Sequence, residues 1–92
     1  MIETFKNKEL EKFFKTGDGS KLNQANLKRI RRILFVLNNA KILEDINLPG
    51  WRLHSLKGKM KGHYAVDVSG NFRIIFRFNN SKVTDVDYLD YH

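Results

Sequence analysis

Ninety-two residues carry 17 Lys and Arg against 10 Asp and Glu, a formal net charge of +7, and contain no cysteine. Hydrophobic residues make up 41% of the chain, which excludes a disordered polymer and suits one small domain, expected to span residues 1–92. Disulfides and thiolate metal sites are excluded with the cysteines. No stretch approaches the ~18 apolar residues of a membrane span, and residues 1–6 lack the apolar core of a signal peptide, so a cytoplasmic location with no membrane contact is expected. The positive excess favours a polyanionic partner, nucleic acid first, over an acidic protein or simple solubility.

Residues 2–5 read as a short first strand. Asn7 is placed to cap a helix starting near Lys8, whose Leu10, Phe13 and Phe14 recur at i, i+3 and i+4 on one face. Gly17 opens a loop and suits the helix C-terminus. A second helix is predicted over residues 23–40, with Leu27, Ile30, Ile33, Leu34 and Leu37 forming its apolar stripe and Lys28, Arg29, Arg31 and Arg32 its basic face. Residues 42–48 fit no period, and Pro49-Gly50 marks a turn.

Beyond that turn the period changes to two. Residues 52–56 read as a short strand and residues 57–62 as a basic loop. Residues 63–68 alternate, with Tyr64, Val66 and Val68 on one side, and Ser69-Gly70 reads as a hairpin turn. Phe72, Ile74, Phe76 and Phe78 then share one strand face, and Arg73, Ile75 and Arg77 the other. Residues 79–81 turn the chain, and residues 82–88 pair back with Val86 and Tyr88 inward. Helices followed by an antiparallel meander make an α+β protein of two layers, two N-terminal helices packed on a sheet.

Several side chains in this scheme suit phosphodiester chemistry. Residues i and i+2 of a strand lie ~6.6 Å apart on one face and adjacent strands ~4.8 Å apart, so Arg73, His54 and a C-terminal tail held in the same sheet can converge. Arg73 suits bidentate phosphate contact. Cleavage of RNA without metal needs a base for the 2′-hydroxyl, an acid for the leaving 5′-oxygen and cations for the phosphoryl oxygens. His54, His92 and Asp90 can fill the proton-transfer roles, Lys57 and Arg73 can supply charge, and Tyr91 can stack on a base or hold a hydrogen bond. The α-carboxylate beside the His92 imidazole favours its protonated form, which makes His92 the more natural acid. His63 has no partner in the pattern and reads as structural. The three dispersed histidines do not resemble a zinc site, so no metal or cofactor is expected.

The segments Trp51-Arg52-Leu53-His54-Ser55-Leu56-Lys57-Gly58, Asn71-Phe72-Arg73-Ile74-Ile75-Phe76 and Val86-Asp87-Tyr88-Leu89-Asp90-Tyr91-His92 resemble HigB toxins of the RelE/ParE toxin–antitoxin superfamily, and the resemblance extends over essentially the whole chain. It implies the RelE-like microbial RNase fold, in which two N-terminal helices pack on a curved antiparallel sheet. It implies a ribosome-dependent endoribonuclease that cuts mRNA in the 30S decoding site and stops translation. By motif match its active site would be His54, Lys57, Arg73, Asp90, Tyr91 and His92. The implied partner is a HigA-type helix-turn-helix antitoxin, and operator DNA would be reached only through the antitoxin complex. Two other classes remain open at this point: a non-enzymatic, ParE-like topoisomerase inhibitor, and a plain RNA-binding module. The first would leave mRNA intact while damaging DNA, and the second would be harmless on overexpression.

Overall fold

A computed structural model of the chain describes residues 1–90. Helix α1 (Lys8–Thr16) starts where the sequence predicts. The extended Asn7 caps it, its side-chain oxygen accepting the Leu10 backbone N–H at 2.8 Å, and Glu9 and Glu11 in the first turn match the positive end of the helix dipole. Gly17 closes it at φ 82°, a left-handed value that only glycine adopts freely. Helix α2 (Leu27–Asn39) is entered through a 3-10 turn at Gln24–Asn26 whose cap is Asn23. The two helices approach closely at the buried Gly19, where an added Cβ would lie 2.7 Å from Leu27 Cδ2.

Four strands follow as a simple meander, β1 (His54–Ser55), β2 (Tyr64–Ser69), β3 (Phe72–Asn79) and β4 (Lys82–Asp90), with every neighbouring pair antiparallel. The two-layer α+β architecture is therefore the expected one. Val66, Val68, Ile74, Phe76, Val83 and Val86 bury one sheet face against Leu10, Phe13, Ile30, Ile33, Leu34 and Leu37. Each fully buried side chain of this kind contributes about 1.5–3 kcal/mol.

The local differences from the sequence expectations have identifiable causes. Residues 2–5 do not form a strand of their own. They lie parallel to β4 through isolated bridges, Ile2 to Val83 and Phe5 to Val86, and cover that edge of the sheet. The ambiguous stretch after α2 contains a 3-10 turn at Leu43–Ile46. The strand expected over residues 52–56 shrinks to His54–Ser55, because Arg52 adopts φ 49° and breaks extension just before it. The first hairpin turns at residues 70–71, one residue later than expected, with Ser69 still paired to Phe72. At Asn80 and Ser81 both φ values are positive, the geometry of a two-residue hairpin turn that follows strand twist. A bulge in β4 between the pairs Ile75–Asp87 and Arg77–Thr84, with Asp85 at φ 55°, shifts the alternation by one. Hence Val83 and Val86, three apart, both point into the core.

Candidate functional site

The sheet face away from the helices carries the charged groups. The pairings His54–Ala65, Ala65–Ile75 and Ile75–Asp87 set these four residues in one row across the sheet, and Asp67, Arg73 and Leu89 form the next row. Directly paired residues share a face, so His54, Asp67 and Arg73 project on the same side. Ala65 and Ile75 between them are buried, giving the charges an apolar floor.

Placement of β1 begins in the core. Trp51 is buried, and the Arg29 guanidinium lies over its ring at 5.4 Å from the centroid. The same guanidinium donates to the Gly50 carbonyl at 3.2 Å and the Asp67 carbonyl at 3.0 Å, while the Asp67 N–H donates to the Trp51 carbonyl at 2.8 Å. Arg29 was expected on the solvated basic face of α2. It instead ties α2, the chain entering β1, and β2 together, with partners 21 and 38 residues away. The left-handed Arg52 follows directly on Trp51. A non-glycine residue there costs about 1–2 kcal/mol. It aims Arg52 at Asp67, whose Oδ2 accepts from Nε at 2.9 Å and Oδ1 from Nη2 at 3.4 Å.

Asp67 is thus the hub of the face. Arg52 contacts both carboxylate oxygens, the closer being Oδ2, and Arg73 Nε lies 3.4 Å from Oδ1, which the two arginines share. Burial alone would raise the Asp67 carboxyl, but Arg52, then Arg73 and His54, outweigh it and hold the carboxyl below its ordinary range. Arg73 also donates from Nη1 to the Asn71 carbonyl at 3.3 Å. The His54 ring is fixed through Nδ1, 2.7 Å from the Arg52 carbonyl oxygen. A carbonyl can only accept, so Nδ1 carries the proton and a neutral ring presents Nε2 as a bare acceptor.

Lys57 is exposed and leads into a 3-10 turn at Gly58–Met60, with Lys59 and Lys61 exposed beside it. Arg77 lies further along the same strand, 3.5 Å from Asp85 at the bulge. His63 is buried, and its Nδ1–H donates to the Met60 carbonyl at 3.1 Å, in keeping with a structural role.

Asp90 ends the described part of β4, exposed and paired with Phe72, whereas Leu89 is the residue opposite Arg73. The strand leading to it is anchored. Tyr88 stacks on Phe72 at 5.3 Å, its hydroxyl accepts from the buried Asn26 at 2.8 Å, and Asn26 in turn accepts from the Ser69 hydroxyl at 2.7 Å. Burial pushes the Tyr88 phenol up, opposed by the Asn26 bond and assisted by the nearby Asp90 charge. Tyr91 and His92 lie outside the described residues.

The structure therefore brings His54 and Arg73 onto one face and leaves Lys57 exposed in the segment just after β1, whereas Asp90, paired with Phe72, is in phase with the helix-facing side of the sheet and not with Arg73. Sequence reasoning missed Arg52 and Asp67. The signal for Asp67 was its place in β2, opposite in phase to Val66 and Val68, which puts it on the Arg73 side. Among the described residues no group of three or more His, Asp or Glu is spaced to hold a metal ion.

The sequence profile of the HigB-like toxin family, described as RelE-like toxins of the type II toxin–antitoxin system HigB, matches residues 3–92. The chain is 34% identical to endoribonuclease HigB of Proteus vulgaris over 92 residues, covering 100% of both chains. It is 30% identical to toxin HigB-1 of Vibrio cholerae serotype O1 over 94 residues, covering 100% of this chain and 98% of that one. In fold it is similar to a chain of the YoeB–YefM complex from Staphylococcus aureus, with a TM-score of 0.59 at 20% identity over 100% of this chain and 95% of that one. It is similar also to YafQ from E. coli, with a TM-score of 0.56 at 18% identity over 96% and 89%.

Proposed function

This chain belongs to the HigB-like family of RelE-like type II toxins, and on that premise we propose that it is an endoribonuclease that cleaves mRNA on the ribosome by acid–base chemistry of its own side chains. The observation that carries this is the shared face of His54 and Arg73, with Asp67 paired to Arg73 and to Arg52, whose carbonyl holds the His54 ring. His54 is the base. Its Nδ1–H is committed to the Arg52 carbonyl, so Nε2 is free to take the proton of a 2′-hydroxyl. The 2′-oxygen attacks the adjacent phosphorus and the bond to the 5′-oxygen breaks. The products are a 2′,3′-cyclic phosphate and a 5′-hydroxyl that receives its proton from the acid. His92 is assigned as that acid, with Asp90 and Tyr91 completing the C-terminal contribution. Arg73 and Lys57 stabilise the charge on the phosphoryl oxygens, an electrostatic effect worth about 10²–10³ in rate for one well-placed donor. Metal is not required by this scheme, because the proton carriers and the cations all come from the protein.

The wider setting follows the family. The 30S decoding site would present the mRNA, a HigA-type antitoxin would neutralise the toxin in the cytoplasm, and operator DNA would be bound only by the pair. Mapping transcript 5′ ends after induction in growing cells tests the proposal. New ends within translated mRNA are expected for the wild-type chain. Their loss is expected for His54→Ala, Arg73→Ala and His92→Gln, each still folded. DNA damage with intact transcripts, or full toxicity after removal of residues 90–92, would overturn it.

A further inference from the structure

A carboxylate on a face that receives a phosphodiester works against its ligand, because like charges repel. Asp67 stands on that face nevertheless, directly opposite Arg73 and one row from His54. Stability does not account for it. The Arg52 side chain in its ion pair is 60% exposed, and a pair so open adds little to folding. Arg52 also takes a left-handed backbone, φ 49°, which opposes folding. Strain kept beside a set of reactive side chains points to a role in what they do.

Asp67 itself is fixed through its backbone. Its N–H donates to the Trp51 carbonyl at 2.8 Å, its carbonyl accepts from Arg29 at 3.0 Å, and β2 holds it against β3. Arg52 and Leu53 stand between the Trp51 bond and the ladder pair His54–Ala65. The Arg52 side chain crosses from this gap to the Asp67 carboxylate, donating from Nε at 2.9 Å and from Nη2 at 3.4 Å. The Arg52 carbonyl meets His54 Nδ1 at 2.7 Å. Whatever fixes the Arg52 side chain therefore fixes the direction of the carbonyl that holds the ring. The same carboxylate lies 3.4 Å from Arg73 Nε. One rigidly mounted group thus touches the phosphate-directed arginine and, through one residue, the imidazole.

We propose that Asp67 is a positioning residue, which sets the orientation and tautomer of the His54 ring through Arg52 and the direction of the Arg73 guanidinium through Nε. It takes no proton itself and acts only through these neighbours. Without the Arg52 carbonyl the neutral imidazole populates both tautomers. The form with its proton on Nε2 has no acceptor there for the proton of a 2′-hydroxyl. Holding a catalytic imidazole in one tautomer has a large effect on rate. The role of His54 as base rests on the RNA-cleavage reading above, whereas the link from Asp67 to the ring does not.

The test reads the tautomer of the neutral His54 ring in the isotope-labelled full chain by long-range proton–nitrogen correlation. Wild type should carry the proton on Nδ1. Asp67→Ala should move population to the Nε2–H form, and Arg52→Ala should do the same by an independent change. Asp67→Ala leaves the backbone bonds to Trp51 and Arg29 in place, and Arg52→Ala carries the test if that variant does not fold. Arg77→Ala, which breaks the neighbouring ion pair with Asp85, should leave the ring unchanged. On ribosomes carrying mRNA, the saturated cleavage rate of Asp67→Ala should fall roughly tenfold with no rise in KM. The double variant with Arg52→Ala should fall no further. Four results would overturn the proposal: an unchanged Nδ1–H tautomer in both single variants, an equal shift in Arg77→Ala, a raised KM at an unchanged saturated rate, or losses that multiply in the double variant. Should wild type cleave no mRNA while the tautomer moves as expected, the cleavage reading fails and the link from Asp67 to the ring stands.

Discussion

The two faces of β3 differ in almost every physical respect. On one, Ile74 and Phe76 are fully enclosed by the helices, and Phe72 and Phe78 pack at the margins of the same core. On the other, Arg73 reaches Asp67 and Arg77 reaches Asp85 across a partly solvated surface, with only Ile75 buried between them. Seven consecutive residues therefore hold the protein together with one set of side chains and present charge with the next. A substitution on the first face should act through unfolding, and one on the second through chemistry.

The sharpest way to break this contrast is Phe76→Ala. It should lower unfolding free energy by about 3–5 kcal/mol in a denaturant melt, since the ring leaves a cavity in the core. Arg73→Ala beside it should change stability by less than about 1 kcal/mol. Comparable losses for the two would mean that the open face is part of the core.

Asn26→Ala comes next. It removes the acceptor of Ser69 and the donor to the Tyr88 hydroxyl. A loss of about 1–3 kcal/mol is expected, together with faster amide hydrogen exchange in β4 beyond the bulge than in β2. Uniform exchange along the strand would show that the Asn26 network does not anchor it.

The smallest effect is a pH dependence. The Asp67 carboxyl is held below its ordinary value in the folded protein, so its contribution is present above the unfolded value of about 3.9 and is lost as pH falls through the lower folded value. The difference in unfolding midpoint between wild type and Asp67→Asn should therefore be present at pH 7, amount to less than about 1 kcal/mol, and shrink towards pH 3. A difference that grows on acidification would contradict the Arg52 and Arg73 clamp.

Local patterns were readable directly. The Asn7 cap, the Gly17 terminus, the apolar stripe of α2 and the two-residue period of β3 each depend on neighbours within one or two turns of the chain, and all appear as expected. The two-layer order of elements followed from them. His54 and Arg73 were legible as candidates because histidine and mid-strand arginine carry chemistry wherever they stand. Asp90 was legible only as the end of a strand, and its pairing with Phe72, which sets it out of phase with Arg73, was not.

What tertiary structure alone decided was every feature that depends on residues distant in the chain. Arg29 looked like one more surface cation of α2, and its partners Gly50 and Asp67 come from two other segments. The left-handed Arg52 and its bond to Asp67 arise only once Trp51 is buried under Arg29. The bulge at Asp85 brings Val83 into the core against a strict alternation. Periodicity records which way a residue faces within its own element. The amino-acid order could not show which charges meet, because a salt bridge or a hydrogen bond is set by positions in space that only the packed sheet and helices bring together.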